Sequence, residues 1–319
     1  MTDVDDVGAL AVANVLHNCG LCDLRGVMVN TPSKYGALTA SVVNTYFGNG
    51  DVPIAAMRPL TSETFLDQQT FLYVDYASKV AHNFPRALED AEQTSTPGEI
   101  YSSILESASD GSVTIISIGF LDNLAGLISS VEGHALVSAK VAELVIMGGE
   151  YPSGWEFNFG GVHPWTTAKV IEGWPSNVPI TYSGLELGMD IMSGEGLKQR
   201  CPADSPILAA YEWYNGRCNT VRESWDPLTV LYGVLGLDRH SALGLSESPF
   251  VYANADGYNS ITAMNGSNAW VDDSSVTNQH WLKLADGISN TSMANLLTQL
   301  YARDPGSASC MIYAAHPDL

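Results

Sequence analysis

Ser112-Val-Thr-Ile-Ile-Ser-Ile-Gly119 and Val141-Ala-Glu-Leu-Val-Ile-Met-Gly-Gly149 decide the fold of this chain. Both runs are nearly continuous in aliphatic residues instead of alternating with polar ones. That is the pattern of a strand buried on both faces. Between them, Asp122–Ser130 reads as a helix. The same rhythm extends outward in both directions. Upstream come a strand at Leu24–Asn30, a helix at Lys34–Phe47, a strand at Val52–Met57 and a long helical stretch at Thr64–Asn83. Thr96-Pro97-Gly98-Glu99 is a capping box with proline at the first helical position, opening a helix to about Ser107. Downstream come a helix at Pro164–Gly173, a strand at Pro179–Leu185, and helices at Ser205–Asn215 and Pro227–Gly236. Buried strands separated by helices predict an α/β fold, an open and mostly parallel sheet with helices on both faces. The C-terminal part changes character. Ser248–Ala253 and Ala269–Asp272 read as short strands around the Asn265-Gly266 turn signal, and Ser292–Arg303 as a terminal helix. No linker, low-complexity tract or repeat interrupts the chain, so residues 1–319 read as a single domain.

Charge narrows the function classes. Lys and Arg number 14 against 35 Asp and Glu, a formal net charge of −21. This opposes binding to a nucleic-acid backbone or an anionic membrane, both of which need positive patches. A neutral small molecule and a cation suit it. No apolar run approaches the length of a membrane span. The cysteines are Cys19, Cys22, Cys201, Cys218 and Cys310, an odd set that leaves at least one unpaired within the chain. Cys19 and Cys22 have C-x-x-C spacing without a second ligand pair for zinc. Cys201 and Cys218 flank one helical segment, where they could bridge. Low lysine content and the sequons at Asn265 and Asn290 favour an extracellular over a cytoplasmic location.

In open parallel sheets, ligands bind beyond the carboxyl ends of the strands. Asn30, Asp122-Asn123, the Gly148-Gly149 loop and Glu186 fall there. Asp3, Asp5 and Asp6 precede an apolar helical pattern of Ala9, Leu10, Val12, Ala13 and Leu16. Two readings of that trio stand: a solvated acidic helix start favoured by the helix dipole, or ligands for a hard cation, which prefers carboxylate oxygens.

Four segments, in order, carry a family resemblance: Asp3-Val-Asp5-Asp6-Val-Gly-Ala-Leu, Gly119-Phe-Leu-Asp-Asn123-Leu-Ala125, Met147-Gly-Gly149 with Glu156-Phe-Asn158, and Ser224-Trp-Asp226-Pro. Together they resemble the inosine–uridine-preferring nucleoside hydrolases, in the branch with an Asp-x-Asp-Asp opening, over about residues 1–235. The resemblance implies a Ca²⁺-dependent enzyme that cuts the N-glycosidic bond of ribonucleosides with water, and assembles as dimers or tetramers. It implies Asp6 and Asp226 as metal ligands, with the backbone carbonyl at Asp122, where relatives commonly have Thr. It implies Asp5 as the group that grips the ribose, and Glu156 and Asn158 as the pair holding its hydroxyls. Asn30 matches an Asn near the attacking water. The chemistry asks for such residues. Glycosidic cleavage passes through an oxocarbenium-like state, which a carboxylate-rich pocket stabilises. Glu156 and Asn158 are expected on one side of an extended segment.

Departures from the family pattern qualify this. The family's first motif aspartate, on the first strand, would fall before Met1, so that strand is expected to be missing here. Trp225 stands where many relatives have a His that protonates the leaving base, and an indole cannot act as that acid. It lines the substrate site or belongs to the core. Trp155 sits in a shortened loop before Glu156. His163, followed by Pro164, reads as a helix start. A catalytically impaired relative that binds nucleosides or sugars without turnover is the competing reading. No G-x-S-x-G elbow and no G-x-G-x-x-G after a first strand appear.

Overall fold

A computed structural model describes residues 3–62 and 75–307. Helix α1 (Asp5–Asn18) leads into β1 (Val27–Val29), α2 (Lys34–Tyr46) and β2 (Ile54–Ala56). After α3 (Ala77–Asn83), α4 (Pro97–Ser107) opens on the expected capping box, with Thr96 and Glu99 each bonding the other's backbone. The rest of the expected long helix at Thr64–Asn83 falls largely outside the described residues. Then follow β3 (Val113–Ser117), α5 (Asp122–Ile128), α6 (Val131–Lys140) and β4 (Val141–Met147). Next come the two-residue strand β5 (Ser153–Gly154), the single turn α7 (Phe157–Gly160), α8 (Pro164–Gly173) and β6 (Ile180–Ser183). Helices α9 (Pro206–Asn215) and α10 (Trp225–Leu235) precede four strands, β7 (Phe250–Tyr252), β8 (Gly257–Ile261), β9 (Asn268–Asp272) and β10 (Gln279–Leu284). Helix α11 (Asn290–Tyr301) completes the series.

The central sheet runs β3-β4-β6-β10-β7, parallel except for the antiparallel edge strand β7. Its continuous apolar runs are covered on both faces, as expected. Helices α1, α9, α10 and α11 build one layer, with Leu16, Tyr211, Leu228, Leu231 and Leu297 fully buried. The other layer, α4, α5, α6 and α8, buries Leu105, Leu124, Val137 and Val170 against Leu144 and Ile146. Strands β1 and β2 pair in parallel as a separate two-stranded sheet.

The C-terminal expectations need correcting. The Asn265-Gly266 turn joins β8 to β9, and the strand at Phe250–Tyr252 pairs instead with β10, which the pattern reading missed. Gly266 takes φ +74°, the left-handed conformation glycine tolerates. Helix α6 was missed as well, because its small and polar residues give a weak apolar stripe. Cys201 and Cys218 do not bridge; both are free, as is Cys22, whereas Cys19 is disulfide-bonded.

Candidate functional site

The carboxyl ends of the parallel strands and the amino ends of α1, α5, α7 and α10 converge. At that convergence lie most of the singled-out side chains. Asp5 occupies the first turn of α1 and Asp226 the first turn of α10, and the two helices pack along each other. Both carboxylates are buried, at 2% and 6% exposure. The backbone N–H of Asp226 donates to Asp5 Oδ2 at 3.2 Å. The sequence therefore brings its two distant acidic motifs into contact.

Electrostatics mark this pair as costly. Burial, then Asp3 and Asp6, push the Asp5 carboxyl well above the usual carboxylate range. Burial, then Asp5, Asp6 and Asp3, do the same to Asp226. Like charges in a low-dielectric setting disfavour joint ionisation. One fixed cation lies close by. Arg222 donates from Nε to Asp3 Oδ1 at 2.9 Å and from an Nη to Asp3 Oδ2, and also grips Glu223. Its guanidinium lies over the rings of Tyr214, at 5.4 Å, and Trp225, at 5.3 Å. Asp3 is thereby committed to an ion pair.

The donor chemistry of Asp5, Asp6 and Asp226 fits a hard divalent cation, which would relieve the repulsion between them. Among the described residues, however, no three acidic, His or Cys side chains form a closed metal-ligating cluster. The fit is one of chemistry and position, not of a preformed cage.

Glu156 and Asn158 do not lie on an extended segment as expected. Glu156 is the N-cap of α7, and its carboxylate accepts from the backbone N–H groups of Asn158 at 2.7 Å, Phe159 at 3.2 Å and Gly149 at 3.2 Å. Short polar side chains favour such positions because they satisfy orphan helix donors. Burial outweighs these bonds and raises its pKa to about 7. Asn158 donates its amide to the Met147 carbonyl at 3.3 Å, which ties it to the end of β4. Gly148 and Gly149 let the Phe159 ring press onto this backbone; a Cβ on Gly148 would stand 2.2 Å from it.

Asn30 ends β1 and donates to the Phe120 carbonyl at 2.8 Å, joining the loop after β3. Asn123 makes the reciprocal tie, donating to the Val29 carbonyl at 3.3 Å. Asp122 starts α5, and its side chain engages His163 Nδ1 at 2.8 Å. The sequence reading of His163 as a helix start holds, since it is the N-cap residue of α8, but its ring also contacts this acidic side chain. Trp225 is half-buried and donates Nε1 to the Leu185 carbonyl at 2.8 Å. Trp155, Phe157 and Trp165 are exposed. Phe157 contacts Phe120 at 5.6 Å between ring centres. Sequence reasoning missed Arg222, which no motif flagged. Glu186, one of the strand-end candidates, accepts from the Tyr151 N–H at 3.1 Å.

No protein-family model matches the chain, and no curated protein matches its sequence. Solved structures do match its fold. An inosine–uridine-preferring nucleoside hydrolase from Bacillus anthracis superposes with a TM-score of 0.65 at 16% identity, over 94% of this chain and 96% of that one. An inosine–guanosine nucleoside hydrolase gives 0.65 at 15% identity, over 95% and 96%. The type III effector XopQ, complexed with adenosine diphosphate ribose, gives 0.57 at 15%, over 94% and 89%. The fold is thus that of the nucleoside hydrolases. At these identities the likeness speaks for the fold alone.

Proposed function

We propose that this protein hydrolyses the N-glycosidic bond of ribonucleosides, releasing base and sugar, with a divalent cation of the calcium type, as one catalytic domain. The observation that carries this reading is the buried Asp5–Asp226 contact at the carboxyl ends of the sheet. Two buried carboxylates that repel each other are retained where their chemistry is used. Asp6 and Asp226, with the carbonyl of Asp122, would hold the cation, which when bound supplies charge compensation and a water of lowered pKa.

The remaining residues bind and stabilise. The negative field of Asp5, Asp6 and Asp226 favours positive charge developing on the sugar. Asp5 accepts from a sugar hydroxyl through the oxygen lone pairs that the Asp226 N–H leaves open. Glu156 and Asn158, locked by the α7 cap, accept and donate to the adjacent hydroxyls. Asn30, fixed by Phe120, orients the water. Trp225 and the exposed Phe157 offer flat apolar faces to the base. Proton donation to the leaving base has no His at position 225 to perform it, so good leaving groups should react best.

A second reading, binding without turnover, is favoured by one observation. Asp3 is taken by Arg222, and the described carboxylates do not form a closed cation cage. The test measures base release from inosine, uridine and nitrophenyl riboside, with calcium and with chelator. Chelator-sensitive release supports hydrolysis. Saturable nucleoside binding without release supports the second reading, and neither activity nor binding overturns both.

A further inference from the structure

The loop that carries Glu156 and Asn158 is held from outside the central sheet. Strand β5 within it adds to the β8–β9 hairpin, with Ser153 opposite Ala269 and Gly154 opposite Asn268. Trp270 N–H donates to the Pro152 carbonyl at 2.7 Å, and Trp155 Nε1 to the Asn265 carbonyl at 2.9 Å. At the hairpin turn the backbones lie close together. A Cβ on Gly266 would stand 2.3 Å from the Phe159 carbonyl oxygen and 2.4 Å from Gly160 Cα. The hairpin therefore touches the loop on both sides of Glu156.

One side chain dominates that contact. Asn268 of β9 is buried, at 5% exposure. Its Oδ1 accepts from the Glu150 N–H at 2.9 Å, and its Nδ2 donates to the Glu150 carbonyl at 3.1 Å. A side-chain amide carries the same donor and acceptor as a peptide unit, so Asn268 bonds Glu150 as a neighbouring strand would. Nδ2 also donates to Asn259 Oδ1 on β8, at 3.0 Å, which fixes the plane of the amide. Glu150 adjoins Gly149, whose N–H donates to Glu156 Oε2 at 3.2 Å. A Cβ on Gly149 would stand 3.1 Å from Asn268 Oδ1, so the amide lies against the Gly149 backbone as well. The path from Asn268 to the Glu156 carboxylate is two hydrogen bonds and one peptide link.

We propose, resting on the reading of Glu156 and Asn158 as sugar contacts, that Asn268 is a positioning residue for them. It fixes Gly149 through Glu150 and thereby aims the Glu156 carboxylate. Asn268 itself touches no substrate in this role. The C-terminal hairpin, remote in sequence from the acidic motifs, then sets the affinity for the sugar. Asp5, Asp6 and Asp226 act independently of it. The competing role for Asn268 is stabilisation of the hairpin alone.

Asn268→Leu keeps the side-chain size and removes both bonds to Glu150. Affinity for inosine, read as KM or, without turnover, as Kd, should weaken by about tenfold, the scale of one lost hydrogen bond to a sugar hydroxyl. Any kcat should stay nearly unchanged, and the calcium-induced rise in melting temperature should be retained. The amides of Gly149, Asn158 and Phe159 hold the Glu156 carboxylate. Their hydrogen exchange should quicken by about tenfold in the ligand-free chain, as local opening becomes easier. Val271→Ala, in the same strand and paired with Tyr258, should change neither affinity nor exchange at these amides. A Leu variant that melts lower but keeps inosine affinity and exchange at the three amides would make Asn268 merely structural and overturn the proposal. A wild type that neither binds nor cleaves inosine overturns the nucleoside reading instead, and the exchange data then decide alone whether Asn268 holds Glu156. Should the Leu variant not fold, native-state exchange of the wild type in rising urea decides. The Gly149 and Asn158 amides should open together with residues 268–271, and their opening with β4 instead would overturn the proposal.

Discussion

The backbone N–H of Asp226 donates to the carboxylate of Asp5, at 3.2 Å, across 221 positions of sequence. The contact places the first turns of two packed helices head to head. Each helix amino end carries partial positive charge that favours an anion. That offsets only part of the cost of two buried carboxylates, each raised well above its usual range. The arrangement is stable as a scaffold and unsatisfied as an electrostatic site, which is the state a cation or a developing sugar cation would relieve.

Asp226→Asn tests that statement without changing shape. In chelator, the variant should melt at or above the wild type, because a buried like charge is gone. With calcium, the wild type should gain melting temperature and the variant should not. Base release should fall by at least about a hundredfold, the scale on which removing one electrostatic stabiliser acts. Differential scanning calorimetry with and without calcium makes the comparison. A variant that melts lower in both conditions would show that Asp226 is structural.

Glu156 gives a pH signature. Its pKa is raised from 4.5 to about 7 by burial. A carboxyl raised on folding favours the folded state below its unfolded pKa, and that contribution is lost as pH rises through the folded value. In chelator, stability should decline between about pH 4.5 and 7, by on the order of 3 kcal/mol if this group acts alone. Glu156→Gln should flatten that segment of the curve. Urea melts at half-unit pH steps provide the readout, and an unchanged slope in the variant would assign the decline elsewhere.

Parallel strands β3, β4 and β6 were legible because burial on both faces writes continuous apolar runs, and helices α5 and α8 between them were legible too, whereas α6 was not. Asp5 and Asp6 stood out as carboxylates before an apolar helical pattern, and Asp226 only through the Ser224-Trp-Asp226-Pro segment of the family resemblance. The geometry of Glu156 was not. Capping is a backbone event, and a Glu before Phe-Asn-Phe gives no periodic signal that separates a helix turn from an extended segment. Arg222 was illegible for another reason. Its partner Asp3 lies 219 positions away, and pairing at that range depends on the tertiary fold. Strand β10 was missed because Gln279, His280 and Lys283 break its apolar run; it is recognised only by its neighbours β6 and β7.

Arg222 offers a double-mutant test. Arg222 and Asp3 are 23% and 27% exposed at the side chain, so the pair is partly shielded from solvent. Arg222→Met should destabilise by about 1–3 kcal/mol, since it strands Asp3 beside the other carboxylates. Asp3→Asn in the same chain should recover part of the loss, giving a coupling of about 1 kcal/mol or more. Additive effects in urea melts would mean that the guanidinium acts through Glu223 and its stacking on Tyr214 and Trp225 instead.

Gly148→Ala probes the support beneath the proposed sugar-binding pair, Glu156 and Asn158. A Cβ at that position would meet Phe159 at 2.2 Å, and the Phe159 ring is fully buried. Something must shift, and overpacking of this kind costs about 1–3 kcal/mol. The ring sits in α7, whose amino end Glu156 caps through Asn158 and Phe159. Displacing it therefore moves both candidate sugar contacts while leaving Asp5 and Asp226 in place. The expected result is a weaker apparent affinity for nucleoside, by about tenfold, with the calcium-induced rise in melting temperature retained. Isothermal titration with inosine and thermal melts with calcium separate the two effects. If calcium stabilisation is lost along with nucleoside affinity, α7 and the carboxylate pair form one coupled unit, and the proposed division of labour between sugar binding and cation binding is wrong.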